Sequence, residues 1–196
     1  MMSSNHDRDV VKRKVSSVES YCGHYLDYLD PRPEHIELED IARGLSQICR
    51  FAGQTNRFYS VAEHAVYVRS LVIEAGYPEL GLAALHHDSH EAYLGDWPSP
   101  LKYALDDARL REMAYNIDAA ICLRLGYGLT PEAMRHPLVK EMDTLAIRRE
   151  AATLKYSHGV GEHWGYETPL LSLAGIGWDH DKAEREFLKA HREETA

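Results

Sequence analysis

The stretch from Leu82 to Lys102, LAALHHDSHEAYLGDWPSPLK, sets the terms for the rest of the chain. Leu82, Ala83, Ala84 and Leu85 are apolar and helix-compatible, and the pair His87–Asp88 follows close behind them. Gly95, Pro98 and Pro100 stop a helix, so the pattern predicts a short one that ends near Leu94. At about 100° per residue, Glu91 projects one turn further on, between His87 and Asp88. The three side chains are expected to converge on one space beside the helix. An imidazole next to a carboxylate suits a borderline divalent metal. Glu91, offset by a turn, is placed for a metal-bound water rather than for the metal. Alone, a His-Asp dipeptide in a chain with 12 His and 31 Asp+Glu passes for chance. Partners elsewhere in the sequence give it weight.

Two such partners sit on the apolar stripes of other helix-patterned segments. Ser60-Val61-Ala62-Glu63 reads as a capping box, with Ser60 as the cap and Glu63 reaching back to it. Val61, Ala65, Val68 and Val72 form the inward stripe of the helix that follows, and His64 lies beside it. An inward His needs a partner. In PLVKEMDTLAIRREAATL, begun by Pro137, the stripe is Val139, Met142, Ala146 and Ile147, and Asp143 falls within it. An acid there is costly unless it is paired or holds a metal. The structural alternatives are a core His64 bonded to a backbone carbonyl and an Asp143 ion-paired with Arg50 or another arginine.

Composition narrows the partners. The 196 residues suit one domain, with 44% hydrophobic and 27% charged residues for a sizeable core. A net charge of -9 argues against gripping long nucleic acid through a basic surface, but leaves room for small phosphate substrates held locally. The three cysteines, Cys22, Cys49 and Cys122, form no C-x-x-C and suggest a reducing, cytoplasmic setting. No long uncharged apolar run predicts a membrane span, and the polar N-terminus lacks a signal core.

In chain order, residues 1–20 are expected to be a loose tail and 21–196 the folded domain. Strand signals are confined to about Tyr21–Leu29. Helices are predicted over Glu39–Arg50, from Ser60, from Pro78 through the His-Asp pair, over Asp106–Leu125, from Thr130, from Pro137, and over Asp179–Glu194. Pro98–Pro100 reads as a turn and His158–Gly177 as a glycine-rich loop. The expected fold is therefore an all-α, single-domain bundle with a short N-terminal strand or hairpin. Apolar helical surface suggests a homo-oligomer.

With His64, His87-Asp88 and Asp143 in place, the chain resembles the HD-domain metal-dependent phosphohydrolases. HHDSHEAYLGDWPSPLK is similar to the motif of the small 5′-deoxynucleotidase branch. ICRFAGQ and FYSVAEHAV are closer to a phage and prophage branch that includes deoxynucleoside triphosphate hydrolases. The likeness spans roughly Gly23 to Ala151. It implies an HD-domain bundle and, in a bacterial or phage-infected cytoplasm, hydrolysis of deoxynucleotide phosphates. It implies His64, His87, Asp88 and Asp143 as ligands of a divalent ion (Mn, Co, Zn, Fe or Mg). It implies Glu91 and Asp96 as acids near the attacking water and leaving group, and Arg50 on the phosphate. The nucleotidase branch carries Trp after that arginine; Phe51 stands here, which keeps an aromatic wall but not the same sugar contact. Gln54 and Trp97 are candidates for the substrate edge. Competing readings are a non-catalytic nucleotide-binding regulatory module and a di-iron oxygenase. The oxygenase needs further His ligands, for which only His90 and His136 fall in the right interval.

Overall fold

The computed structural model describes residues 16–196 except 169, 171 and 172. Two strands open it. β1 (Ser17–Glu19) and β2 (Tyr25–Asp27) pair antiparallel with Val18 opposite Leu26, which buries Leu26. Residues 1–15 of the predicted 1–20 tail lie outside the described residues, and Ser17–Glu19, counted in that tail, belongs to this hairpin. Everything after β2 is helix, turn or loop among the described residues. The helices are α1 (Leu38–Gln47), α2 (Val61–Glu74), α3 (Gly81–His86), α4 (Glu91–Leu94), α5 (Ser99–Leu105), α6 (Ala108–Leu125), α7 (Pro131–Met134), α8 (Pro137–Leu154) and α9 (His180–Glu194).

Helix α2 is the spindle, and its sequence explains why. Its small and β-branched residues are buried on more than one side. Val61, Ala62 and Ala65 join Ile41 and Leu45 of α1, Leu85 of α3, Ile117 and Ile121 of α6 and Phe187 of α9. Val68, Leu71 and Val72 join Ala84 of α3 and Val139 and Ala146 of α8. A helix packed on several faces tolerates polar residues only where they find partners. Those residues are Glu63 and His64, both buried.

Local signals set most helix ends. Ser60 Oγ accepts from Glu63 N–H at 3.1 Å, Thr130 Oγ1 from Ala133 N–H at 3.1 Å, and Asp179 Oδ1 from Lys182 N–H at 2.7 Å. Three expectations need correction. The Glu63 carboxylate does not reach back to Ser60; it accepts 2.8 Å bonds from Gly177 N–H and Trp178 N–H, tying the loop before α9 to α2. The Pro98–Pro100 stretch is not a bare turn; with proline in its first turn it starts α5, because proline's fixed φ suits a position whose N–H has no helical partner. The His87–Asp88 pair does not sit in one continuous helix. α3 ends at His86, residues 87–90 form a tight turn, and α4 restarts at Glu91. The turn holds through Ser89 N–H to His86 O at 3.0 Å and Glu91 N–H to Asp88 O at 2.9 Å. Apolar side chains stay exposed at Tyr103 of α5 and Leu123 of α6.

The placement of α4 depends on a close approach. A Cβ on Gly44 of α1 would stand 2.9 Å from Ala92 O and 3.2 Å from Ala92 Cα. Ala92 directly follows Glu91, so Gly44 lets α1 support the helix that carries that acid. Gly44→Ala is expected to destabilise the chain by about 1–3 kcal/mol through overpacking, read as a lower urea midpoint with an unchanged slope. Glu63→Gln replaces one accepting oxygen by an NH2 that faces an N–H. It is expected to cost about 1–3 kcal/mol and to speed amide exchange at Gly177 and Trp178.

Candidate metal centre

Three separate segments deliver ionisable side chains to one interior point. α2 brings His64, the turn after α3 brings His87 and Asp88, and α8 brings Asp143. One ring nitrogen of each histidine is already committed. His64 Nδ1–H donates to Glu150 Oε1 at 2.6 Å, and His87 Nδ1–H to Ala84 O at 2.8 Å. Each bond turns the remaining Nε2 lone pair inward, as a carboxylate or carbonyl behind a histidine ligand does in metal sites.

The inward atoms crowd together without bonding well to one another. His64 Nε2 lies 3.1 Å from Asp143 Oδ1 and 3.8 Å from Asp88 Oδ2. His87 Nε2 lies 3.2 Å from Asp88 Oδ2 and 3.9 Å from Asp143 Oδ1. Yet, among the described residues, His64 Nε2, His87 Nε2 and Asp143 Oδ1 are buried and lack a properly aligned hydrogen bond. Buried polar atoms normally find partners. Donors held ~2.1 Å from a shared ion stand roughly 3.0–3.4 Å apart, close to the shorter separations here. His64, His87 and Asp143 can thus hold a metal ion between them, with Asp88 alongside.

The charge balance favours the same occupant. Asp88, Asp143 and Glu150 are three carboxylates. The arginine among them is Arg50, buried, with Nη1 3.6 Å from Asp88 Oδ2 and Nε 3.5 Å from Glu150 Oε2. Burial and Arg50 push the His64 pKa down, but Glu150 and Asp143 outweigh them and raise it to about 9. Burial works to raise Asp88, but His87, His64 and Arg50 hold it well below the usual carboxylate range. Without an ion, protons on the imidazoles would supply the positive charge this cluster lacks; with a divalent ion and neutral imidazoles, the ion would supply it.

Arg50 owes its position to an unusual turn. Residues Arg50–Gly53 form a 3-10 turn in which Phe51 (φ 56°) and Ala52 (φ 52°) are both left-handed. Consecutive non-glycine residues there carry strain of order 1–3 kcal/mol each, a pattern common at functional sites. Arg50, Phe51, Gln54 and Asp96 all line one cavity of about 570 Å³. Trp97 does not. Its indole N–H donates to Leu94 O at 2.9 Å, and it lines a separate cavity of about 360 Å³ with Glu91 and Lys102. Among the described residues Asp143 pairs with no arginine; the acids beside Arg50 are Asp88 and Glu150.

Glu91 is 2% exposed, with Oε1 accepting from Lys102 Nζ at 2.9 Å and Oε2 unpartnered. Burial and the Asp88 charge raise its pKa to about 7, against the pull of Lys102. Asp88, His90 and Glu91 form a second group of donors. His90 Nδ1–H donates to Asp118 Oδ1 at 3.0 Å, and Asp118 is held by Arg135. His136 caps its own helix, accepting from Leu138 N–H.

Sequence reading missed Glu150, Lys102 and His86. Glu150 was findable: it lies seven residues, two turns, after Asp143 on the same face of α8. Lys102 was hidden because α5 was. His86 is buried and bonded to Ser89 Oγ at 2.8 Å and to His191 Nδ1 at 2.9 Å, so it braces the turn from α9. Burial holds its pKa down at about 3 and keeps it neutral.

No family model matches the chain. Over 145 residues it is 40% identical to the uncharacterized protein YfdR of Escherichia coli, covering 74% of this chain and 76% of YfdR. Over 135 residues it is 42% identical to the uncharacterized protein RCAP_rcc00048 of Rhodobacter capsulatus, covering 66% of this chain and 68% of that protein. With such identity over more than two thirds of each relative, the chain belongs to the family of YfdR.

Proposed function

We propose that this chain is a metal-dependent phosphohydrolase of the HD-domain type that acts on phosphate esters of deoxynucleosides. The observation that carries the reading is the set of buried, unpartnered donors on His64, His87 and Asp143, gathered from α2, the turn after α3 and α8. Arg50, 3.6 Å from Asp88, lines one cavity together with Asp96, and Glu91, which opens α4 just after the turn, lines the other.

The roles follow from chemistry and position. A divalent cation held by His64, His87, Asp88 and Asp143 would supply Lewis acidity and acidify a water. Glu91, with Oε2 free and its pKa raised, takes the proton of the attacking water. Arg50, fixed by Asp88 and Glu150, stabilises charge on the non-bridging phosphoryl oxygens. The water oxygen bonds to phosphorus, the bond to the nucleoside 5′-oxygen breaks, and that oxygen gains a proton on the Asp96 side. Glu150 touches no substrate; it holds the His64 ring and Arg50 in place.

A panel of deoxynucleoside mono- and triphosphates, incubated with Mn, Co or Mg, tests the proposal. Release of deoxynucleoside that chelator abolishes is the expected result. Silence across the panel with metal bound overturns it in favour of a binding module. Glu91→Gln is expected to keep the ion, by elemental analysis, while kcat drops by roughly 10²–10⁴. Metal loss in that variant would reassign Glu91 as a ligand.

The pH dependence has a definite sign. Glu91 must be ionised to act as a base, so activity rises with pH through its pKa. With a dication bound nearby, that limb lies below the value of about 7 set by burial and Asp88. Lys102 favours the ionised form, so Lys102→Met is expected to move the limb upward, and an unmoved or lowered limb would contradict this role. Rate profiles of both chains from pH 5 to 9 check it.

A further inference from the structure

We propose that Trp164, with His163, forms the nucleobase-binding wall of this site, so that the glycine-rich segment after α8 governs which base is accepted. The inference rests on the nucleotide reading above and says where the nucleoside sits.

The cavity lined by Arg50 and Asp96 is also lined by Phe51, Ile147, His163 and Trp164. Its volume of about 570 Å³ falls in the range of small-molecule sites and far exceeds what one phosphate needs. Arg50, with Nη1 3.6 Å from Asp88 Oδ2, links this cavity to the metal donors, and Lys155 adds a second cation to its lining, over the Phe51 ring. Phe51, Ile147 and Trp164 give the same cavity aromatic and apolar walls. A phosphate held at Arg50 leaves a flat heterocycle to lie against those walls.

Trp164 is held for that task. Its indole N–H donates to Ser157 Oγ at 3.0 Å, which satisfies the ring's polar atom. Gly161 N–H donates to Tyr166 O at 2.9 Å and closes the loop that carries it. The Arg148 guanidinium stands 3.3 Å from the centroid of the Tyr166 ring, anchoring that loop to α8. The ring is half-buried and stands outside the apolar core clusters. A rigid aromatic side chain with its N–H satisfied and its body on a cavity is suited to stacking a base at little entropic cost.

The test compares wild type and Trp164→Ala on deoxynucleoside phosphates and on deoxyribose 5-phosphate, which lacks a base. Expected is a KM for nucleotides raised about tenfold or more, recovered largely by Trp164→Phe. The KM or Ki of deoxyribose 5-phosphate should stay within about twofold. Equal losses on both, or none on either, overturn the proposal. If wild type hydrolyses nothing, the phosphohydrolase reading fails and binding decides this inference separately. Deoxynucleosides should then quench tryptophan emission in wild type and not in Trp164→Ala. Absence of quenching in wild type, or equal quenching in both, overturns it.

Discussion

Glu150 is fully buried, and a buried carboxylate must be matched by positive charge or donors. His64, Arg50 and Tyr59 supply the match: Tyr59 Oη–H donates to Oε1 at 2.9 Å, His64 Nδ1–H donates to the same oxygen, and Arg50 Nε sits by Oε2. The pairing decides the direction of the His64 ring. With Nδ1 engaged behind, Nε2 has nowhere to point but toward His87 and Asp143. The orphaned cluster is thus a consequence of how the interior solves one carboxylate. His86 does the corresponding work on the other side, joining the turn that carries His87 and Asp88 to α9 through His191.

Rigid elements and strained ones divide the labour. α2 and α8 are long, packed on apolar partners, and hold His64 and Asp143 at fixed depth. Short or irregular parts line the two cavities: the left-handed Phe51–Ala52 turn and the loop around Trp164 in one, the four-residue α4 in the other. Such an arrangement keeps the donors preorganised on rigid elements.

The legible parts of the site were those where chemistry broke a local pattern. An imidazole beside the α2 stripe and an acid inside the α8 stripe stood out because apolar periodicity made them expensive. Glu150 obeyed the same rule but sits in the charged run Arg148-Arg149-Glu150, which reads as a solvated face. α5 was lost because Pro98 and Pro100 read as a stop, although proline equally opens a helix. The break at residues 87–90 left no local trace, since Ser89 and His90 are compatible with helix; only their bonds to His86 and Asp118 show it. Trp97 could not be assigned to a cavity, because the walls come from segments tens of residues apart. The helical class followed from periodicity; of the hairpin, only β2 fell within the Tyr21–Leu29 strand signal, while its first strand fell in residues whose polarity resembled a tail.

The central claim is that side chains from three segments surround a single cation. Titration of the chain with Co²⁺, followed by its visible absorption, tests it most directly when repeated on His64→Ala and Asp143→Ala with circular dichroism confirming their fold. The account predicts saturation at one ion per chain in wild type and affinity weakened at least about tenfold in each variant. Absence of saturable binding, or binding that neither substitution alters, would contradict it.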